Sequence, residues 1–128
     1  MPRNVIIFGA GLGGQRVAKV LPPGDRLLAF TDNDQKKHDT LLFGKPVVAP
    51  NRILDSALAF DTVIVGSQYV REICSQLLEM GVSKDRIELV EADVLGGAYE
   101  FDTRGFTRKI AVATVLLTVV AAVIYVLV

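Results

Sequence analysis

Apolar residues in the first ninety positions follow two rhythms. "VIIF" (5–8), "LLAFT" (27–31), "TVIVG" (62–66) and "IELV" (87–90) are short, mostly continuous apolar runs. A strand with one wet face would alternate, so continuous runs predict strands covered on both faces. Between them the spacing is helical. Residues 13–21 place Val17, Val20 and Leu21 on one side and stop at Pro22-Pro23-Gly24-Asp25, a strong helix breaker. Residues 68–80 place Val70, Ile73, Cys74, Leu77 and Leu78 opposite Arg71, Glu72, Ser75, Gln76 and Glu79, with Gly81 set to close the helix. A shorter helix is expected over 51–58, burying Ile53, Leu54, Ala57 and Leu58. Strands joined by helical crossovers predict an α/β fold with a parallel, doubly wound sheet, a small Rossmann-like domain spanning 1–95.

The pattern then changes. "GGAYEFDTRGF" (96–106) has little periodicity, and 96–109 is read as a linker or membrane-surface collar. No charge occurs in the nineteen residues 110–128. As a helix they would reach roughly 28 Å, close to the hydrocarbon thickness of a bilayer, so a single C-terminal transmembrane helix is expected there. Arg104, Arg108 and Lys109 crowd its near end, and the positive-inside rule then puts the globular part in the cytoplasm, anchored to the inner membrane. Tyr125 suits the far interface, and Thr114 and Thr118 suit either carbonyls of their own helix or a partner helix in a homo-oligomer. The N-terminus enters its first strand at once, with no secretory leader expected.

Composition narrows the function. The chain of 128 residues carries 14 basic and 14 acidic residues, so it lacks the broad positive field of a general nucleic-acid binder. One domain and an appendage fill that length, leaving no room for a separate catalytic domain. Cys74 alone makes neither a disulfide nor a ligand pair; on the apolar side of its helix it reads as a small core residue. Lys36, Lys37 and His38 read as a solvated loop face, and a histidine without ligand-spaced partners is no metal site. No Tyr-x-x-x-Lys pair is present, because Ile73 and Thr103 stand four after Tyr69 and Tyr99. No catalytic residue is identified.

The candidate chemistry lies at the strand ends. Gly9-Ala10-Gly11-Leu12-Gly13-Gly14 fits G-x-G-x-x-G at Gly9, Gly11 and Gly14, after a strand and before a helix. Gly9 would permit the tight turn, Gly11 would let a phosphate approach the backbone, and Gly14 would let helix and strand pack; the helix N-terminus would face the anion. The alternative is that these glycines serve backbone geometry alone. Asp32, followed by Asn33 at the end of the second strand, stands eighteen residues past Gly14, where a dinucleotide fold sets a carboxylate for ribose hydroxyls. An Asx-turn suits "DND" equally well. Ser67, at the third strand's end, suits a cap on the following helix or a contact to the same ligand.

Taken together, "VIIFGAGLGGQRVAKVL", "LLAFTDND", "GKPVV" and "DTVIVGSQYVREICSQLLEMGV" resemble the Rossmann-like domain of bacterial polysaccharide-biosynthesis proteins over about 4–90. That group includes membrane nucleotide-sugar dehydratases, sugar-phosphate transferases and sugar acyltransferases. The resemblance implies a nucleotide or UDP-type nucleotide-sugar ligand, placed as in the acyltransferases against Gly9, Gly11, Gly14 and Asp32. It further implies work beside membrane glycan-assembly enzymes. It carries over no catalytic residue, because those relatives join the domain to a catalytic unit and here a linker and one apolar stretch follow. Two other readings stand beside it: a small oxidoreductase with NAD as cofactor, for which Asp32 would select NAD, and a truncated non-catalytic scaffold.

Overall fold

The computed structural model describes residues 2–91 and 94–95. The chain runs β1 (Asn4–Phe8), α1 (Leu12–Lys19), β2 (Arg26–Thr31), β3 (Leu41–Leu42), β4 (Lys45–Val48), β5 (Thr62–Val65), α2 (Val70–Glu79) and β6 (Ile87–Leu89), with short 3-10 turns between. The sheet order is β3-β4-β2-β1-β5-β6. Every pairing is parallel except β3 with β4, an antiparallel edge hairpin that modifies the expected all-parallel sheet. Successive crossovers leave β1 first toward β2 and β4, then toward β5 and β6. The order therefore reverses between β1 and β5, and the Rossmann-like crevice of such sheets opens there.

The continuous apolar runs are explained by two cores. From β1, Ile6 and Phe8 join Val63 and Val65 under Ile73 and Leu77 of α2, while Val5 and Ile7 join Phe30, Ile64 and Val47 under Val17 of α1. Period-two alternation is present in the backbone and invisible in the sequence, because both faces are buried.

Helix α2 ends as the sequence predicts. Gly81 takes φ +97°, and its amide donates to the Leu78 carbonyl while Val82 donates to Leu77, both at 3.0 Å. This is a Schellman closure, completed by the apolar contact of Val82 with the core around Leu77. Some expectations are corrected. Residues 51–58 form two 3-10 turns rather than a helix, and only Ile53 is fully buried, since Leu54 and Ala57 face solvent. Asp55 at ψ 137° separates the two turns and breaks the helical path. Val20 and Leu78 are exposed, Val20 because α1 has already ended at Lys19.

The expected linker (96–109) and apolar helix (110–128) lie outside the described residues. Among the described residues no helix is long and apolar enough to cross a membrane.

Candidate functional site

The turn after β1 is built by close backbone packing. Gly9 takes φ +123°, and a Cβ there would stand 2.7 Å from the Gly66 carbonyl oxygen. A Cβ on Gly13 would collide with that same oxygen, and one on Gly14 with the Gly9 carbonyl. Gly66 completes the arrangement from β5, because a Cβ there would lie 2.9 Å from the Gly14 Cα. Helix α1 can thus sit against the ends of β1 and β5 only because four positions have no side chain. Gly11 differs. Its φ is −93°, and its Cβ position would meet nothing nearer than Nζ of Lys37, at 3.7 Å. Gly11 is also the N-cap of α1, and no side chain caps that end.

Asp32 holds the turn from β2. Its Oδ2 accepts the Ala10 amide at 2.8 Å, and its Oδ1 accepts the Asp34 amide at 2.8 Å, which is the Asx-turn alternative. Each oxygen keeps acceptor capacity beyond those bonds, so a ribose contact remains chemically open. His38 Nε2 donates to the Asp32 carbonyl at 2.6 Å. Lys37 Nζ lies 3.8 Å from Oδ2. The basic segment expected as a solvated face is therefore a 3-10 turn (Gln35–Lys37), started by the Asp34 carboxylate on the Lys36 amide, that directs Lys37 toward the glycine turn.

These elements enclose a cleft of about 270 Å³ at the β1/β5 switch point. Gly9, Gly11, Leu12, Gly13, Asp32 and Ser67, all sequence candidates, line it. Gly14 instead packs behind the turn, and Asn33 points to α2, where its amide and that of Gln76 exchange bonds of 2.9 and 2.8 Å. Ser67 does not cap α2: its Oγ accepts the Tyr69 amide at 3.2 Å, and Tyr69 itself is the N-cap residue.

Sequence reasoning missed Lys37, Gly66, Gln68 and Tyr69 as lining residues. The signal for the last three was available, because any residue following a strand on either side of the switch point faces the crevice. Leu12 and Tyr69 bring exposed apolar surface to the cleft, with 64% and 55% of their area open. Cys74, half-buried against the α2 core, has its thiol pKa pushed up by burial, which leaves it a poor nucleophile. No group of metal-ligating side chains occurs among the described residues.

A mostly parallel sheet with a glycine turn and an acidic β2 end at its switch point defines a Rossmann-like domain. The chain belongs to the C2185-like N-terminal family, whose model matches residues 1–88. No curated protein sequence matches it. Among solved structures it is similar to UDP-D-quinovosamine 4-dehydrogenase from Vibrio fischeri, with 24% identity, TM-score 0.54, and coverage of 76% of this chain and 100% of that one. It is also similar to RSP in complex with β-NADH, with 18% identity, TM-score 0.52, and coverage of 85% of this chain and 64% of that one. A further structure of RSP, a Rex-family repressor, matches with 18% identity and TM-score 0.51 over 84% of this chain and 63% of that one. The chain thus spans less than two thirds of RSP, and at these identities the likeness is one of fold.

Proposed function

We propose that this chain is a nucleotide-binding module that takes a nucleoside diphosphate or UDP-type nucleotide sugar in the β1/β5 cleft. Tethered through 110–128 to the inner membrane, it works from the cytoplasmic side beside enzymes that assemble glycans. One observation carries the ligand reading: among the glycines of the turn, Gly11 is the one whose Cβ would meet no backbone, only the Lys37 ammonium at 3.7 Å on the cleft side, whereas Gly9, Gly13 and Gly14 give that space to backbone. A glycine that packing does not require, at the N-terminus of a helix with no side-chain cap, fits close approach by a phosphate. The membrane reading rests on the nineteen uncharged residues and the basic residues before them. The glycan reading rests on the motif set quoted above. Anchoring would raise the effective concentration of the module near membrane enzymes.

The test is calorimetric titration of the full chain in mild detergent with UDP, a UDP-sugar, NAD and CoA, alongside Gly11→Ala and Gly11→Val. UDP compounds are expected to bind, Gly11→Ala to weaken them and Gly11→Val to abolish them, with the melting temperature little changed. Preference for NAD would replace this reading with a dinucleotide site, and silence from every ligand would make the turn a scaffold. Release of the full chain from membranes by alkaline carbonate would overturn the anchor.

A further inference from the structure

We infer that Lys37 is the anion-binding residue of the cleft, meeting the ligand's phosphate over Gly11, and that Asp32 is a positioning residue for it and for the turn. This rests on the nucleotide reading above and names the contact that reading lacks. Lys37 Nζ stands 3.7 Å from the position a Gly11 Cβ would take, at the one glycine of the turn that does not face close-packed backbone. Its 3.8 Å separation from Asp32 Oδ2 is beyond hydrogen-bond reach, so the ion pair does not consume the ammonium's three donors. Each Asp32 oxygen instead accepts one backbone amide, Oδ2 that of Ala10 and Oδ1 that of Asp34.

The backbone that carries Lys37 is held on several sides. Its amide donates to the Asp34 carbonyl at 3.0 Å, its carbonyl accepts the Thr40 hydroxyl at 2.5 Å, and His38 is tied to the Asp32 carbonyl. The next turn is locked to β4 by the Asp39 amide on the Val47 carbonyl. A constrained turn fixes where the Lys37 stem starts, which leaves only the side chain itself to be ordered on binding. With the uncapped end of α1 on the other side of Gly11, the cleft offers donors from two directions and suits a diphosphate.

The experiment compares UDP with uridine, NAD with adenosine, and sodium pyrophosphate alone, by calorimetry on the full chain and on Lys37→Met, Lys37→Arg and the exposed neighbour Lys36→Met. Losing one charge-assisted contact is expected to weaken UDP and pyrophosphate by about tenfold to a hundredfold. Uridine should be unaffected, Lys36→Met should match the unaltered chain, and Lys37→Arg should retain most of the affinity. Equal UDP affinity in Lys37→Met, or an equal loss for uridine, overturns the role of Lys37 while leaving the nucleotide reading standing. A chain that binds NAD but not UDP overturns the UDP reading, and the NAD–adenosine pair then decides Lys37 by the same criterion. Binding of none of these probes overturns both.

Discussion

The Ala10 amide donates to Oδ2 of Asp32 across 2.8 Å, so the carboxylate at the end of β2 is a clasp on the glycine turn of β1. Hydrogen bonds to charged groups contribute about 1.5–3 kcal/mol each, less where water competes. Asp32→Ala removes the acceptors for Ala10 and Asp34 together and is expected to destabilise the chain by about 2–3 kcal/mol in urea unfolding. Asp32→Asn keeps one acceptor and should cost about half as much. Lost ligand affinity in Asp32→Ala would therefore report a loosened turn; only an effect shared by the better-folded Asp32→Asn would speak for ribose contact.

The glycines divide by what a methyl group would strike. Gly13→Ala and Gly14→Ala drive Cβ into the carbonyls of Gly66 and Gly9, and backbone cannot move aside as a side chain can. Each is expected to lower stability by several kcal/mol or to prevent folding. Gly11→Ala meets only the tip of a lysine and should cost at most about 1 kcal/mol as an N-cap change. Thermal melts by circular dichroism check the contrast, and a Gly11→Ala melt as low as that of Gly14→Ala would refute the division.

The main strands and both helices were legible because their signals are local: unbroken apolar runs, 3.6-residue spacing, Pro-Pro-Gly after α1 and Gly81 after α2. The edge hairpin was not. Its two-residue turn is Phe43-Gly44, both at positive φ (51° and 74°), where Asn-Gly or Asp-Gly is the usual cue. Phe43 is half exposed with its ring 6.3 Å from that of Phe30, and a ring contact between residues thirteen apart leaves no trace in the local sequence. Lys37 was hidden because its backbone is fixed by a bond to the Asp34 carbonyl and one from the Thr40 hydroxyl that only the folded turn brings together. The glycine turn and Asp32 stand out in the sequence by local spacing, whereas the amide that each Asp32 oxygen accepts is visible only in the fold.

Leu95 extends the folded unit beyond the family match. It is 1% exposed, packs in the α1 core, and its carbonyl accepts Arg16 Nη1 at 2.9 Å. Its Cδ2 also lies 3.3 Å from the Gly13 Cβ position, so Leu95 braces the start of α1. Leu95→Ala is expected to cost about 2–5 kcal/mol and Arg16→Ala about 1 kcal/mol in urea unfolding. A change below 1 kcal/mol for Leu95→Ala would mean that this segment packs only loosely on α1.

Stability toward acid should depend on Arg3. Its guanidinium grips Asp25 through two bonds, 2.8 Å from Nη2 and 3.2 Å from Nε, and reaches Glu88 of β6 at 2.7 Å from Nη1. The hydrogen bonds to Asp25, then to Glu88, raise the Arg3 pKa, so the cation persists at every accessible pH. The hydrogen bond from Arg3 holds the Asp25 carboxyl below its ordinary range, against the opposing effect of burial. A carboxylate with a depressed folded pKa binds fewer protons folded than unfolded. Its stabilisation is present above the unfolded value of about 3.9 and is lost as pH falls through the lower folded value. Urea midpoints of the unaltered chain should therefore drop from pH 6 toward pH 3. Arg3→Gln should be less stable than the unaltered chain at pH 6, and the gap should narrow by pH 3. A gap of constant size across that range would mean that Arg3 acts through packing of its stem and that the charge pair contributes nothing to folding.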